Sequence, residues 1–290
     1  MENISSACWL IKFVFDDEVP ENLGEFFDEY FDVVAINYTD DGREEAVGYK
    51  SLDFDEKDML SAAKNYGIVL PEYKIEYLES KNWLSENVIK FAPFEIGNFC
   101  VFGSHEKIAP QSKKLPVMVY AATAFGSEHQ TTKMCLEAIS DIAGEKYDCK
   151  KILDVGTGSG ILAIAAAKQW PEAKIMAVDI DAESVEVCKK NSADNQTEKN
   201  INCFLGDGYQ LQEITNLAPY DIILTNIFAR PLIAMSSDMV KNLKKGGFGI
   251  ISGFIDEQLE WVTSEHEKAG LKIKKVYEMD NWRAVILEKI

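Results

Sequence analysis

Apolar residues in the first eighty positions switch between strand spacing and helical spacing. Residues 8–15 are apolar and β-prone, and an apolar stripe at helical spacing follows (Leu23, Phe26, Phe27, Tyr30). The pattern then predicts a strand over 32–38, a weaker strand over 45–53, a helix around 59–66 and an alternating strand over 73–77. This βαββαβ order predicts a small α+β, ferredoxin-like domain in residues 1–80.

The rest of the chain contains two further regions, a segment interrupted by prolines and a longer alternation of strands and helices. Prolines at 93, 110 and 116 interrupt residues 81–119, which we interpret as a connector carrying short strands such as Phe99–Phe102. From residue 120 to 290, strands alternate with helices, among them a helix over 231–243 and a strand over 248–252. The last two strands form a hairpin around Asp280-Asn281. Seven strands in this alternation predict an α/β, Rossmann-like domain.

A glycine-rich turn opens the predicted α/β domain. The short apolar strand Lys151–Val155 runs directly into Gly156-Thr157-Gly158-Ser159-Gly160, and a helix follows. Such a turn lets the backbone approach a ligand closely and directs helix N–H groups toward it. The next strand ends in Asp179-Ile180, about twenty residues past the glycines, where a carboxylate fits a hydrogen bond to a ribose diol.

Two details favour a sulfonium cofactor over a dinucleotide. The spacing is Asp-x-Gly-x-Gly-x-Gly rather than GxGxxG, and Asp154 precedes the first glycine, which suits a cationic ligand better than a pyrophosphate. Asp207 follows the third strand, where we expect an adenine contact. A dehydrogenase, or a glycine turn that serves only helix packing, remains an alternative.

Asn226 ends the fourth predicted strand. A polar side chain at the carboxyl end of a central strand faces the ligand crevice of such folds. The amide oxygen could accept a hydrogen bond from a substrate amine. The alternative is an asparagine that only caps the helix that follows.

Composition narrows the function further. The net charge is −18, and residues 1–80 contribute −14 of it, with twenty acidic and six basic residues. An acidic module suits a basic partner, or it serves only solubility, and it disfavours direct nucleic-acid binding.

No apolar run approaches the ~20 residues of a membrane span. Six cysteines without a CxxC pair and three histidines predict no metal site and reduced thiols, as in the cytoplasm.

Several motifs resemble those of one family, the ribosomal protein L11 methyltransferases (PrmA), over nearly the full length of the chain. Residues 154–166 look like its cofactor loop. Asn226-Ile227-Phe228-Ala229-Arg230-Pro231-Leu232 is similar to its Asn-Ile-Leu-Ala-x-Pro-Leu, and residues 124–132 are similar to its Ala-Phe-Gly-Thr-Gly-x-His-x-Thr-Thr. Trp83 and the run 91–97 also fit the family's connector.

The resemblance implies a monomeric class I methyltransferase that uses S-adenosylmethionine. It would methylate lysine ε-amines, and the N-terminal α-amine, of ribosomal protein L11, a basic protein. Residues 1–80 would recognise this substrate and residues 120–290 would carry the reaction. Asn226 would orient the amine and contribute to the cofactor site, whose other residues would be Phe125, Thr132, Asp154, Gly156, Thr157, Gly158, Gly160, Asp179, Ile180 and Asp207.

The segment 124–132 departs from the family's pattern. It is one residue shorter, Glu128 stands where a second glycine is expected, and Tyr120-Ala121-Ala122 replaces Asp-Pro-Gly. In the family this segment closes over the cofactor, so the departure leaves two alternatives open. One is a methyltransferase for another protein or a small amine, and the other is a non-catalytic cofactor-binding ribosome-assembly factor. We interpret His129 as a residue that orders the loop rather than a catalytic one.

Overall fold

A computed structural model describes the chain in ten stretches. It divides into two compact units, residues 1–86 and 87–290. The described residues are 8–14, 23, 26–27, 30–31, 33–38, 44–50, 54–78, 91–106, 111–120 and 129–290.

The smaller unit contains a four-stranded antiparallel sheet in the order β2-β3-β1-β4. Residues Leu23, Phe26, Phe27 and Tyr30 are helical between β1 and β2, which completes the predicted βαββαβ order. Helix α1 begins at the N-cap Asp55, whose carboxylate accepts the N–H of Lys57, and its Met59 packs in the core with Ile11 and Phe13. The bounds are β1 Cys8–Val14, β2 Val33–Tyr38, β3 Glu44–Lys50, α1 Glu56–Asn65 and β4 Tyr73–Leu78.

The described part of the predicted connector belongs to the larger unit. It forms a three-stranded sheet of β5 (Phe94–Ile96), β6 (Phe99–Gly103) and β7 (Leu115–Val119), in that order. All five residues of β6 are buried, and Phe99, Val101 and Val117 join the core of the α/β domain. This sheet is therefore packed into the larger unit, and the short strand expected at Phe99–Phe102 is confirmed.

The larger unit is built on a seven-stranded sheet in the order β10-β9-β8-β11-β12-β14-β13. Strands β8 to β12 are parallel, whereas β14 runs antiparallel to both of its neighbours. The strand bounds are β8 Lys151–Val155, β9 Lys174–Asp179, β10 Ile201–Leu205, β11 Tyr220–Asn226, β12 Leu243–Ile255, β13 Leu271–Met279 and β14 Trp282–Lys289. The helices are α2 Gln130–Gly144, α3 Ile161–Gln169, α4 Ala182–Asp194, α5 Gln212–Leu217, α6 Ala229–Ala234, α7 Ser236–Asn242 and α8 Leu259–Ala269.

Both faces of this sheet are covered, so neighbouring residues along a strand enter different cores. Ile152 and Ile222 pack on one face, and Leu153 and Ile223 on the other. Burial on both faces explains why the central strands read as continuous apolar runs rather than alternating ones. The predicted fold class is confirmed, a seven-stranded α/β domain preceded by a smaller α+β domain.

Two sequence-based element bounds are wrong. The helix expected over 231–243 is two short helices, α6 and α7, separated at Met235. The strand expected over 248–252 is the middle of β12, which begins at Leu243. Residues 244–247 read as a turn because Lys-Lys-Gly-Gly is polar and flexible. Here Gly246 takes a left-handed φ of 73°, and the register between β11 and β12 shifts across this stretch.

Candidate functional site

The predicted site residues meet at the carboxyl edge of the parallel strands. Gly156 follows β8, Asp179 ends β9, Asp207 follows β10 and Asn226 ends β11. The strand order reverses between β8 and β11, because β9 lies on one side of β8 and β11 on the other. Crevices that bind ligands in open α/β sheets lie at such a switch point.

The glycine loop approaches the residue after Asn226 closely. Gly156 has a left-handed φ of 70°, and a Cβ atom at this position would lie 2.5 Å from Cγ2 of Ile227. The N–H groups of Gly156 and Thr157 donate to the carbonyl of Val178 at 2.9 and 3.1 Å. A Cβ atom at Gly158 would have no heavy atom within 4 Å, so this side of the loop is open to a ligand.

Asp154 lies beneath the loop. It is 1% exposed, and its Oδ2 accepts the Thr157 hydroxyl at 2.7 Å. Burial raises the pKa of Asp154 to about 7, although the hydrogen bonds from Thr157 and from the N–H of Ala163 favour the carboxylate. Asp154 and Thr157 therefore fix the shape of the loop from inside.

Asp179 ties the second strand to the glycine loop. Its Oδ2 accepts the N–H of Gly158 at 2.9 Å, and its Oδ1 accepts the N–H of Asp181 at 3.0 Å. Each carboxylate oxygen can accept a further hydrogen bond, so the group could still receive both hydroxyls of a ribose. Ile180 beside it is 76% exposed, and Asp207 is exposed on the next loop.

Asn226 is oriented by a residue from a distant helix. Its Nδ2 donates to Oγ1 of Thr132 at 3.3 Å, and Thr132 lies in the first turn of α2 with 3% of its surface exposed. Because the two polar atoms of an amide point to opposite sides, this bond directs the Oδ1 of Asn226 away from α2. The two predicted residues are thus brought together across 94 positions of sequence.

His129 caps the helix that carries Thr132. Its Nδ1 accepts the N–H of Thr131 at 3.3 Å, and its ring lies edge-on to Trp282 at 4.7 Å. Desolvation, together with the nearby Lys133, lowers the pKa of His129, which favours the neutral ring that capping requires. This geometry agrees with a role in ordering the chain. Phe125 and Glu128 lie outside the described residues.

Two buried asparagines were missed by the sequence analysis. Asn191 Nδ2 donates to the carbonyls of Ser159 and Tyr120, and its Oδ1 accepts the N–H of Tyr120 at 2.8 Å. Asn195 forms a similar pair of bonds with both backbone groups of Met118. Asn191 lies on the buried side of α4 and Asn195 directly after its end, where a buried polar residue is a sign of a hydrogen-bond role.

An exposed aromatic side chain adjoins Asn226. Phe228 is 71% exposed. The residue before it, Ile227, packs closely against Gly253, since a Cβ atom on Gly253 would lie only 2.2 Å from the Ile227 carbonyl oxygen. The Phe228 ring therefore projects into solvent next to the site, from a backbone that packs closely against Gly253.

The described residues form no cluster of three or more His, Cys, Asp or Glu that could hold a metal ion. In the same part of the chain, no helix is long and apolar enough to cross a membrane. The available groups fit S-adenosylmethionine. Gly158 leaves an open backbone surface, Asp179 retains acceptor capacity, and Ile180 offers an apolar surface for an adenine ring.

The sheet order and this loop define a class I S-adenosylmethionine-dependent methyltransferase. A family model described as ribosomal protein L11 methyltransferase (PrmA) matches residues 25–290. The chain belongs to this family of protein methyltransferases.

Relatives and a solved structure agree with this assignment. The ribosomal protein L11 methyltransferase of Rhodopseudomonas palustris is 30% identical over 286 residues, which cover 96% of each chain. That of a Caulobacter strain is 34% identical over 74% of this chain and 73% of its own. The crystal structure of the ribosomal protein L11 methylase from Lactobacillus delbrueckii matches 69% of this chain and 99% of its own, with a TM-score of 0.59 and 25% identity.

Proposed function

We propose that this protein transfers methyl groups from S-adenosylmethionine to lysine ε-amines, and to the N-terminal α-amine, of ribosomal protein L11 in the cytoplasm. The observation that carries the proposal is the contact between Asn226 and Thr132 beside the glycine loop. It orients an amide oxygen at the edge where the cofactor would lie. Family membership supports the substrate.

The cofactor would lie across the carboxyl ends of β8 and β9. Asp179 would accept the ribose hydroxyls, and Ile180 and Asp207 would lie against the adenine. Gly156, Gly158 and Gly160 would allow close approach of the backbone, with Asp154 and Thr157 holding the loop from below. Phe125, from the segment before α2, and Thr132, in the first turn of α2, would close the site. When bound, the cofactor supplies a methyl group on a positively charged sulfur, so no covalent intermediate with the protein is needed.

Asn226 would align the substrate amine. Its Oδ1 would accept one N–H of the amine and point the nitrogen lone pair at the methyl group. Only the neutral amine has a lone pair, and a lysine amine has a reference pKa near 10.4. Nδ1 of His129 already accepts the N–H of Thr131, so we expect the proton of the amine to pass to water rather than to this histidine.

The acidic first domain would recognise the basic substrate. Residues 1–80 carry a net charge of −14, and Asp58, Glu72 and Glu76 are exposed on the described part of this domain. Long-range attraction would raise the rate of encounter with a basic protein. We propose that a monomer acts in this way, without direct contact to nucleic acid.

Mass spectrometry of ribosomal protein L11, incubated with this enzyme and S-adenosylmethionine, tests the proposal. We expect mass increments of whole methyl groups that map to lysines and the N-terminus. Asn226→Ala should lose most turnover and keep cofactor affinity in calorimetry, whereas Asn216→Ala, an exposed asparagine on α5, should behave as wild type. Cofactor binding without any methylation would instead favour a non-catalytic assembly factor. Methylation of other proteins alone would favour a different substrate.

A further inference from the structure

Two cysteines lie side by side next to the glycine loop. Cys188 of α4 and Cys203 of β10 place their sulfur atoms 3.3 Å apart. Cys188 is buried, whereas Cys203 is partly exposed because β10 is an edge strand of the seven-stranded sheet. Cys100, Cys135 and Cys149 are buried, so Cys203 is the most accessible of the cysteines whose side chains are described.

Cys188 contacts the loop directly. A Cβ atom at Gly160 would lie 2.6 Å from its sulfur, so the sulfur occupies the space that this glycine leaves. The sulfur is also 3.7 Å from the Thr157 hydroxyl, which is itself bonded to Asp154. A displacement of this sulfur would therefore change the packing that holds the loop in shape.

The two thiols differ in exposure and in pKa. The Cys203 thiol donates a hydrogen bond to the Cys188 sulfur. Once Cys203 is ionised, the Cys188 thiol can donate to the thiolate instead, and this interaction, with a smaller effect of Lys189, lowers the pKa of Cys203. The same interaction, together with burial, raises the pKa of Cys188. Because the thiolate is the nucleophile, Cys203 is the sulfur that would react first with an oxidant.

We propose that Cys188 and Cys203 form an oxidation site at which hydrogen peroxide converts the two thiols into a disulfide, and that this disulfide weakens cofactor binding. The Cys203 thiolate attacks one peroxide oxygen, the O–O bond breaks, and a sulfenic acid and one water result after protonation. The Cys188 sulfur then attacks the sulfenic sulfur, the S–O bond breaks, and the thiol proton leaves with the hydroxyl as a second water. Two sulfurs are oxidised and one peroxide is reduced to two waters.

Formation of the disulfide between Cys188 and Cys203 would strain the glycine loop. A disulfide holds its sulfurs about 2 Å apart, so the two atoms must approach each other by about 1.3 Å from their present separation of 3.3 Å. Any part of this movement made by Cys188 changes its contacts with Gly160 and Thr157. In the cytoplasm such a bond is transient, because the thiol pool reduces it again. The effect on the cofactor rests on the function proposed above, whereas disulfide formation does not.

Peroxide treatment of the reduced full-length protein tests both parts. We expect the intact mass to fall by two hydrogen atoms. Trypsin cleaves after Lys189 and Lys199 and so separates the two cysteines, and a nonreducing digest should contain one peptide pair that joins Cys188 to Cys203. Calorimetry should show about tenfold weaker S-adenosylmethionine binding, the scale at which one loosened hydrogen bond acts, with recovery after dithiothreitol.

Cys203→Ser and Cys203→Ala provide the controls. Both should bind cofactor as the reduced wild type does and should show no loss of affinity after peroxide. Sulfinic acid at Cys203 without the disulfide would overturn the site, and a disulfide that leaves cofactor affinity unchanged would overturn its coupling to the loop. If the reduced wild type bound no cofactor, the proposed function and the coupling would both fail. The peptide digest would still decide whether the disulfide forms.

Discussion

Replacing Asp179 with alanine should weaken S-adenosylmethionine binding by about 10- to 150-fold. The carboxylate accepts the N–H groups of Gly158 and Asp181, and we expect it to accept the ribose diol as well. A hydrogen bond to a charged group contributes about 1.5–3 kcal/mol, which corresponds to this range of affinity. The fold should persist, because β9 is held by backbone bonds such as that from Gly206 N–H to the Asp179 carbonyl.

Titration calorimetry measures this change directly, with folding checked by circular dichroism. Asp148→Ala is a matched control, since it removes the same charge from an exposed residue. Asp148 lies before β8, at the amino ends of the parallel strands and away from the proposed cofactor site. Asp179→Asn should lie between wild type and alanine, because it keeps one acceptor oxygen but turns a donor toward a backbone N–H. A folded Asp179→Ala variant with wild-type affinity would remove Asp179 from the cofactor site.

The remaining predictions concern pH and charge. Methylation rates should climb about tenfold per pH unit above neutrality, as the neutral fraction of a lysine amine does, and a flat pH–rate profile would contradict proton loss to water. Burial lowers the pKa of His266. Below pH ~6.5, the His266 ring therefore binds a proton in the unfolded chain that it does not bind in the folded chain. Urea unfolding should therefore show stability falling from pH 7 to pH 5.5, and His266→Gln should flatten this slope. Asp58→Lys with Glu72→Lys should raise KM for ribosomal protein L11 and leave kcat unchanged. An unchanged KM at low salt would count against electrostatic recognition.

The parts of the molecule that were predictable depend on short-range patterns. The apolar run 151–155 and the glycines after it are contiguous, so strand, turn and helix could be read together. The carboxyl ends of parallel strands share one edge, and the order of strands along the sequence therefore predicts that Asp179, Asp207 and Asn226 lie at that edge together. Their chemical roles remain predictions.

Other features depend on contacts between distant residues. Asn191 reads as one more polar residue in a helix, and only the packing of Tyr120 and Ser159 against α4 reveals why it is buried. The burial of Asp154 was missed for the same reason, since its position in the motif suggested contact with the ligand. The separation of α6 from α7 at Met235 has no signal in the sequence that we can identify.

The outer strand β13 carries features that oppose association between copies of this protein. It is one of the two edges of the seven-stranded sheet, and Lys272, Lys274 and Lys275 are exposed along it. An unpaired strand edge is a template for intermolecular pairing and aggregation, and lysines along it oppose that pairing through charge repulsion and the cost of desolvation. Lys274 and Lys275 also form ion pairs with Glu145 and Asp141, which hold these charges beside the edge. We therefore expect these lysines to oppose extension of the sheet past β13 into a neighbouring molecule.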